Sequence, residues 1–398
     1  MSNLRRVSTS KLLVLCATVL AVLVVGVAIA NAIATSGSPP PRTSLPRAIR
    51  GALTAKAPVG ISARIKFTSK LVDSSLLGEH ASPLLTGATG RLWVAQGGRL
   101  RLELQSDRGD TQIVSDGHRF LFSDPSSNTV YTGALPAHRQ KREKRAEHKP
   151  SLAEIQKGLG RLGRFATVIG PGREVVAGRS AYSVRVEARH NSGLFGGIGA
   201  AWDAIRGVPL RFAVYARGVK APVLELQATG ISYGPIAAST FRVSSPAHSR
   251  IHRVALGGSG NHRERLHGAR HRGAHEVQGL KAVGEALPFH LSAPAELAGL
   301  QRTSVHLIAD RKGGGAAAIV YGRPLLGGLV VIEHKAGKEA AKDRGLGRNL
   351  PHVKIGNVDA TELATALGTL VSFHRGGIDY TVVGAVGKAK AEEAARGL

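Results

Sequence analysis

The sequence predicts an α+β protein: a meandering antiparallel sheet, then a smaller α+β domain, the whole preceded by one apolar span suited to a transmembrane helix. Three observations carry this. From residue 60 onward, short stretches alternate apolar and polar side chains between Gly, Pro, Asp or Asn, which is the pattern of half-buried strands joined by turns. Glycine makes up 50 of the 398 residues, which suits a turn-rich β protein better than a helical bundle. The apolar share, 43%, is enough to bury real cores, so wholesale disorder is excluded.

The first element is the run 12–34, LLVLCATVLAVLVVGVAIANAIA, which carries no charge and follows Arg5, Arg6 and Lys11. At 1.5 Å per residue it is long enough to cross a hydrocarbon core of roughly 30 Å. The basic flank, 1–11, is expected in the cytoplasm and the bulk of the chain outside, on a single-pass anchor in the cell membrane. The competing reading is a signal peptide cleaved after the small residues at 28–32, which leaves a secreted protein. Cys16 is the single cysteine, so an intrachain disulfide framework and a cysteine-based metal centre are both excluded. Residues 35–50, rich in Pro, Ser and Arg, are expected to be an extended linker with no core of its own.

Residues 51–246 are read as one domain. Ile61, Ala63, Ile65 and Phe67 alternate with polar neighbours, and Leu100, Leu102 and Leu104 do the same after Gly97-Gly98, so these segments form strands and the second belongs to a hairpin. Further strands are expected at 111–115, 119–122 and 129–131. The charged run 137–149 interrupts them as a solvated segment. After Pro150, Ser151-Leu152-Ala153-Glu154 is a capping box, and Leu152, Ile155, Leu159 and Leu162 share one helical face, so a helix ending near Gly163 is expected to lie across the sheet. Strands resume at 181–188, 209–217 and 222–232, with a glycine-rich turn between the first two at 194–206.

Residues 247–284 read as a His/Arg-rich linker. His267, His271 and His275 would line one face of a helix, but Gly268 and Gly273 weaken it and no carboxylate completes a site, so no metal site and no cofactor is assigned. The segment 285–398 is a second, α+β unit: apolar runs at 316–321 and 329–333, a hairpin of 369–374 with 378–383 around Gly376-Gly377, and a terminal helix over 388–396.

The charge balance, 54 Lys+Arg against 27 Asp+Glu, gives a net +27. Outside a membrane, nucleic acid is not the expected partner, and with 9 Phe, 6 Tyr and 2 Trp there are few rings to stack bases. Anionic lipid is the counterpart that remains; compositional bias toward Arg is the bland alternative. No HExxH, G-x-S-x-G, Walker loop or C-x-x-C occurs, and the acidic residues Asp107, Asp110, Asp116 and Asp124 sit at turns. No catalytic residue is assigned, and the expectation is a protein that is not an enzyme.

The ordered patterns Thr89-Gly90-Arg91-Leu92-Trp93-Val94, Arg99-Leu100-Arg101-Leu102-Glu103-Leu104, Val114-Ser115-Asp116-Gly117 and Tyr131 resemble the opening of the LolA-like lipoprotein-carrier superfamily, which includes RseB-type regulators of envelope-stress anti-sigma factors. Residues 150–156 resemble its covering helix, and Trp202-Asp203, Gly207-Val208-Pro209-Leu210 and Val223-Leu224-Glu225-Leu226 resemble later strands of actinobacterial members. Residues 285–398 are similar to a small domain that follows such modules in membrane-anchored Gram-positive proteins. The resemblance implies a half-barrel whose concave face holds acyl chains of a lipid or lipoprotein, without enzymatic activity. The alternative it implies is a signalling protein whose partner is an anti-sigma factor or another envelope protein. By strand parity, Ile65, Phe67, Leu102, Leu104, Phe120, Phe122, Phe212 and Val214 are the lipid-binding candidates, although parity does not separate a cavity from ordinary core. The anchor, the linker and the second domain set the chain apart from a diffusible carrier.

Overall fold

A computed structural model describes residues 37–72, 87–105, 110–124, 128–135, 150–242, 249–254, 277–308, 315–336 and 350–398. The apolar run 12–34, the charged run 137–149 and the three spaced histidines at 267, 271 and 275 lie outside them. Among the described residues no helix is long and apolar enough to cross a membrane, and no His/Cys/Asp/Glu cluster could hold a metal ion.

The chain is more strongly β than the α+β expectation. Helix α1, Leu45–Thr54, opens it. Six strands follow as a meander: β1 Gly60–Ser69, β2 Ala88–Ala95, β3 Arg99–Gln105, β4 Thr111–Asp116, β5 Arg119–Asp124 and β6 Thr129–Ala134. Helix α2, Leu152–Leu162, interrupts it, and a second meander runs through β7 Ala166–Val176, β8 Arg179–Ala188, β9 Phe195–Asp203, β10 Pro209–Ala216 and β11 Leu224–Tyr233. A short β12, Arg250–Arg253, ends this unit. All twelve strands form one sheet in the order β12-β6-β5-β4-β3-β2-β1-β11-β10-β9-β8-β7. The two meanders join at the centre, where β1 pairs with β11. Every pair is antiparallel except β12 with β6, which is parallel.

The turns follow the sequence. Gly97 and Gly98, between β2 and β3, have φ of 79° and 76°, a region that glycine enters without steric penalty. Ser151 and Glu154 make the reciprocal cap of α2: the Glu154 N–H donates to Ser151 Oγ at 3.2 Å and the Ser151 N–H to Glu154 Oε2 at 2.8 Å.

Three expectations need correction. The spacer at 35–50 is not all extended: from Leu45 it is helical, and Leu45 and Ala48 pack with Tyr182 and Trp202. Leu45, Ala48, Ile49, Ala52 and Leu53 repeat at helical spacing, and Pro46 occupies the first turn, where an N–H has no intrahelical partner to lose. The glycine-rich stretch at 194–206 is mostly strand β9, because glycine there admits the close approach of neighbours: a Cβ on Gly197 would sit 2.4 Å from the Val186 carbonyl oxygen. The linker read over 247–284 carries β12 at one end and, at the other, helix α3, Leu280–Ala286, whose Val283 is fully buried.

The twelve-stranded sheet is rolled. Adjacent strands lie about 4.8 Å apart, so β7 and β11, four positions apart, would be roughly 19 Å apart in a flat sheet. Their Cα atoms come within 8 Å, and Arg179 Nη2 of β8 donates to the Ile231 carbonyl of β11 at 3.4 Å. The result is a curled half-barrel with α1 and α2 on one face.

The second unit is an eight-stranded sheet in the order β13-β14-β15-β16-β20-β19-β18-β17. Its strands are β13 Glu296–Leu297, β14 Leu300–Ile308, β15 Ala316–Tyr321, β16 Leu329–Lys335, β17 His352–Ile355, β18 Val358–Thr365, β19 Gly368–Arg375 and β20 Ile378–Gly384. Helices α3 and α4, Lys388–Arg396, pack through Val283, Ala391, Ala394 and Ala395 against a core that includes Ile319, Val331, Val371 and Val382. The units touch: the Leu194 N–H donates to the Ala385 carbonyl at 2.8 Å, and Ser192 Oγ to the Leu326 carbonyl at 3.2 Å.

Candidate functional site

The half-barrel face that carries the helices is apolar because each strand contributes every second residue to it. Pairing sets Ala63 opposite Leu92 and Ile231, Leu92 opposite Leu102, and Ile113 opposite both Leu102 and Phe122. At one side Leu45, Ala48 and Ile49 of α1 and Leu159 of α2 pack on Tyr182, Val184 and Trp202. At the other, Ile65, Leu102 and Leu104 form a buried cluster with Phe67, Ile113 and Leu226 against it. Between these two packed regions lies a cavity of about 360 Å³.

Its walls come from Ile49, Ala52 and Leu53 of α1, Ile61, Ala63 and Ile65 of β1, Leu92 and Val94 of β2, Trp202 of β9, Leu210 and Phe212 of β10, and Leu226, Ala228 and Ile231 of β11. Leu53 is 53% exposed and marks the mouth. The volume falls inside the roughly 300–1,000 Å³ of small-ligand clefts. Among the described residues Arg211 is the one charged group of the lining, and its guanidinium is neutralised by Glu174 at 2.8 Å, with Glu225 at 3.9 Å. Trp202 Nε1 is buried away from the open space and has no hydrogen-bond partner among the described residues.

The rim is held by a buried carboxylate. Asp203, 3% exposed, accepts hydrogen bonds from the backbone N–H groups of Ile205 and Arg206 at 2.9 and 2.8 Å and from the Tyr233 hydroxyl at 2.8 Å. Burial and the adjacent Asp203 push the Tyr233 hydroxyl far above its ordinary pKa, so it stays a donor. Arg206 and Arg179 stack on the Tyr233 ring, 4.4 and 5.1 Å from its centroid. The turn so fixed presents Gly207, at φ 64°, to α1; a Cβ there would lie 2.4 Å from the Ala52 carbonyl oxygen, so glycine is what allows the helix to close on this wall.

Of the eight residues picked out by parity, Ile65 and Phe212 line the cavity. Phe67, Leu102 and Leu104 lie in the adjoining cluster. Phe122 stacks on Tyr131 at 5.8 Å, and Tyr131 on His252 of β12 at 5.5 Å, forming an aromatic stripe farther along the sheet. Phe120 faces Gly133 of β6, and Val214 lies opposite Leu224 and Ile198; neither reaches the cavity. The α1 wall is absent from the parity set because it depends on a helix read as spacer, although the spacing of Leu45, Ala48, Ile49, Ala52 and Leu53 carried the signal. Trp202 is absent because its strand reads in the sequence as a glycine-rich turn, and Ile231 because the bulge in the pairing of β1 with β11 skips Thr229 and puts it out of phase with Leu226 and Ala228.

No protein-family model matches this sequence, and no curated protein matches it. Among solved structures, MucB in complex with MucA(peri) overlaps 88% of this chain and 95% of its own at 16% identity, with a TM-score of 0.42. An uncharacterized conserved protein from Thermus thermophilus overlaps 52% of this chain and 96% of its own at 8% identity, TM-score 0.32. The LolA superfamily protein NE2245 from Nitrosomonas europaea overlaps 51% and 99% at 8% identity, TM-score 0.22.

Proposed function

We propose that this chain is a non-enzymatic, membrane-anchored envelope protein that holds an acyl chain of a lipid or lipoprotein in the cavity under α1. The observation that carries the reading is the lining: aliphatic and aromatic groups from five strands and a helix, with the single charge already paired. Such a wall gains by covering apolar surface, at about 25 cal/mol per Å², and offers water almost nothing.

Native mass spectrometry of residues 37–398, which retain α1, tests this. A co-purified lipid mass and saturable uptake of a fluorescent fatty acid are expected; a lipid-free protein that takes up no fatty acid would overturn the reading. The direct contacts of the second sheet with the 192–194 turn favour a further role, in which both units together grip an envelope protein such as an anti-sigma factor. Capture of the same partners with and without residues 285–398 would count against that role.

A further inference from the structure

On the sheet face away from α1, we propose a docking site for the surface of an anionic phospholipid bilayer, distinct from the acyl cavity and not resting on it. Arg185 and Glu187 alternate along β8 with Val184, which packs in the α1 cluster, so they open on the other side. There Arg185, Glu187, Arg189, Arg217 and Lys220 line a polar cleft of about 380 Å³. Glu187 is already neutralised: it lies 2.6 Å from Arg185 Nε, and the same guanidinium stacks 3.9 Å over the Tyr215 ring. That leaves three exposed cations. Arg217 donates to the Asn191 carbonyl at 3.0 Å, a contact that orients it without neutralising it. Arg189 and Lys220 make no ion pair among the described residues. A phosphate group is the anion that such a cluster of guanidinium and ammonium groups recognises.

The cleft rim says where that phosphate sits. Val219 is 44% exposed, and Phe165, 69% exposed, follows Arg164 and faces Arg189 across the strand pair, its carbonyl accepting the Arg189 N–H at 3.0 Å. One exposed apolar residue is ordinary surface. A ring projecting beside unpaired cations is the arrangement of an interfacial contact, the ring entering the headgroup layer while the cations meet phosphates. A free phosphate would use the cations and leave the ring in water; a bilayer engages both.

The full-length chain in nanodiscs tests this, with backbone amide exchange followed at 162–169, 187–190 and 217–220. Discs of phosphatidylglycerol should slow exchange in these segments relative to phosphatidylcholine discs. Each cation removed should lower protection about fivefold, the weight of one Lys or Arg at an anionic surface. Arg189→Glu with Arg217→Glu and Lys220→Glu should abolish the difference, and Phe165→Ser should reduce it with the cations intact. All four side chains are exposed, and circular dichroism reports any loss of fold. Equal exchange in both lipids, or protection that survives the triple reversal, would overturn the proposal. So would equal protection from soluble glycerol phosphate added to phosphatidylcholine discs, which would make the cleft a free-phosphate site.

Discussion

Ala63 sits at 6% exposure in the middle of β1, where its small side chain leaves open space between the larger Ile61 and Ile65. Ala63→Phe should therefore occupy the cavity. A loss of fatty-acid affinity of about tenfold or more is expected, with an overpacking cost of roughly 1–3 kcal/mol; wild-type affinity in a titration with a fluorescent fatty acid would show that the ligand sits elsewhere. A second residue-level effect lies in the other sheet. Glu333 is fully buried on β16, accepts one hydrogen bond, from the Ser292 N–H at 3.0 Å, and leaves Oε1 without a partner among the described residues. Burial pushes its carboxyl from 4.5 up to about 7. Between these values the folded chain holds a proton that the unfolded chain releases, so stability falls as pH rises through this window, by about 3 kcal/mol in all. Glu333→Gln should flatten that dependence. Amide exchange of β16, corrected for intrinsic rates and compared at pH 5 and pH 8, reports it; an equal pH dependence in the variant would refute it.

At the scale of elements, α1 is the movable wall. It reaches the sheet through Leu45 and Ala48, while its C-terminal half, Ile49 to Leu53, spans the cavity. Leu45→Ala should cost roughly 2–5 kcal/mol if the helix forms one cooperative unit with the sheet. Where the loss is local, it should appear as faster amide exchange across 45–54 and faster release of a bound fatty acid, with β1 and β11 still protected. Unchanged release would mean that α1 does not gate the cavity. The helix was legible in its spacing, yet the run of prolines at 39–41 and the Arg and Ser around it resemble a spacer. What stabilises it is tertiary: an isolated helix of ten residues is marginal in water, and this one rests on Tyr182 and Trp202, more than a hundred residues away. Strands β3 and β8 and the capped helix α2 were legible for the opposite reason, since alternation and the Ser151–Glu154 box are local signals.

At the scale of the whole molecule, the two sheets meet where backbone lies against backbone. A Cβ on Gly193 would stand 2.5 Å from both the Ala385 carbonyl oxygen and the Gly327 nitrogen. Gly193→Ala should therefore push the units apart and break the Leu194 N–H contact to Ala385. Small-angle scattering should then show a larger radius of gyration with both sheets still folded; an unchanged profile would mean that the contact yields without separating them.

The strand-rich class, the capping of α2, the turns at Gly97-Gly98 and Gly376-Gly377, and the apolar parity of Ile65, Leu102 and Phe212 are all written in the linear order of residues, because each depends on a few neighbours and the fixed period of a strand. Which of those parity residues border open space is a property of the assembled sheet alone. Ile65 and Phe212 reach the cavity while Leu102 and Leu104 are sealed, because the sheet rolls and α1 closes over one part of it. The curvature that creates the void is a sum over twelve strands, and no local pattern encodes it.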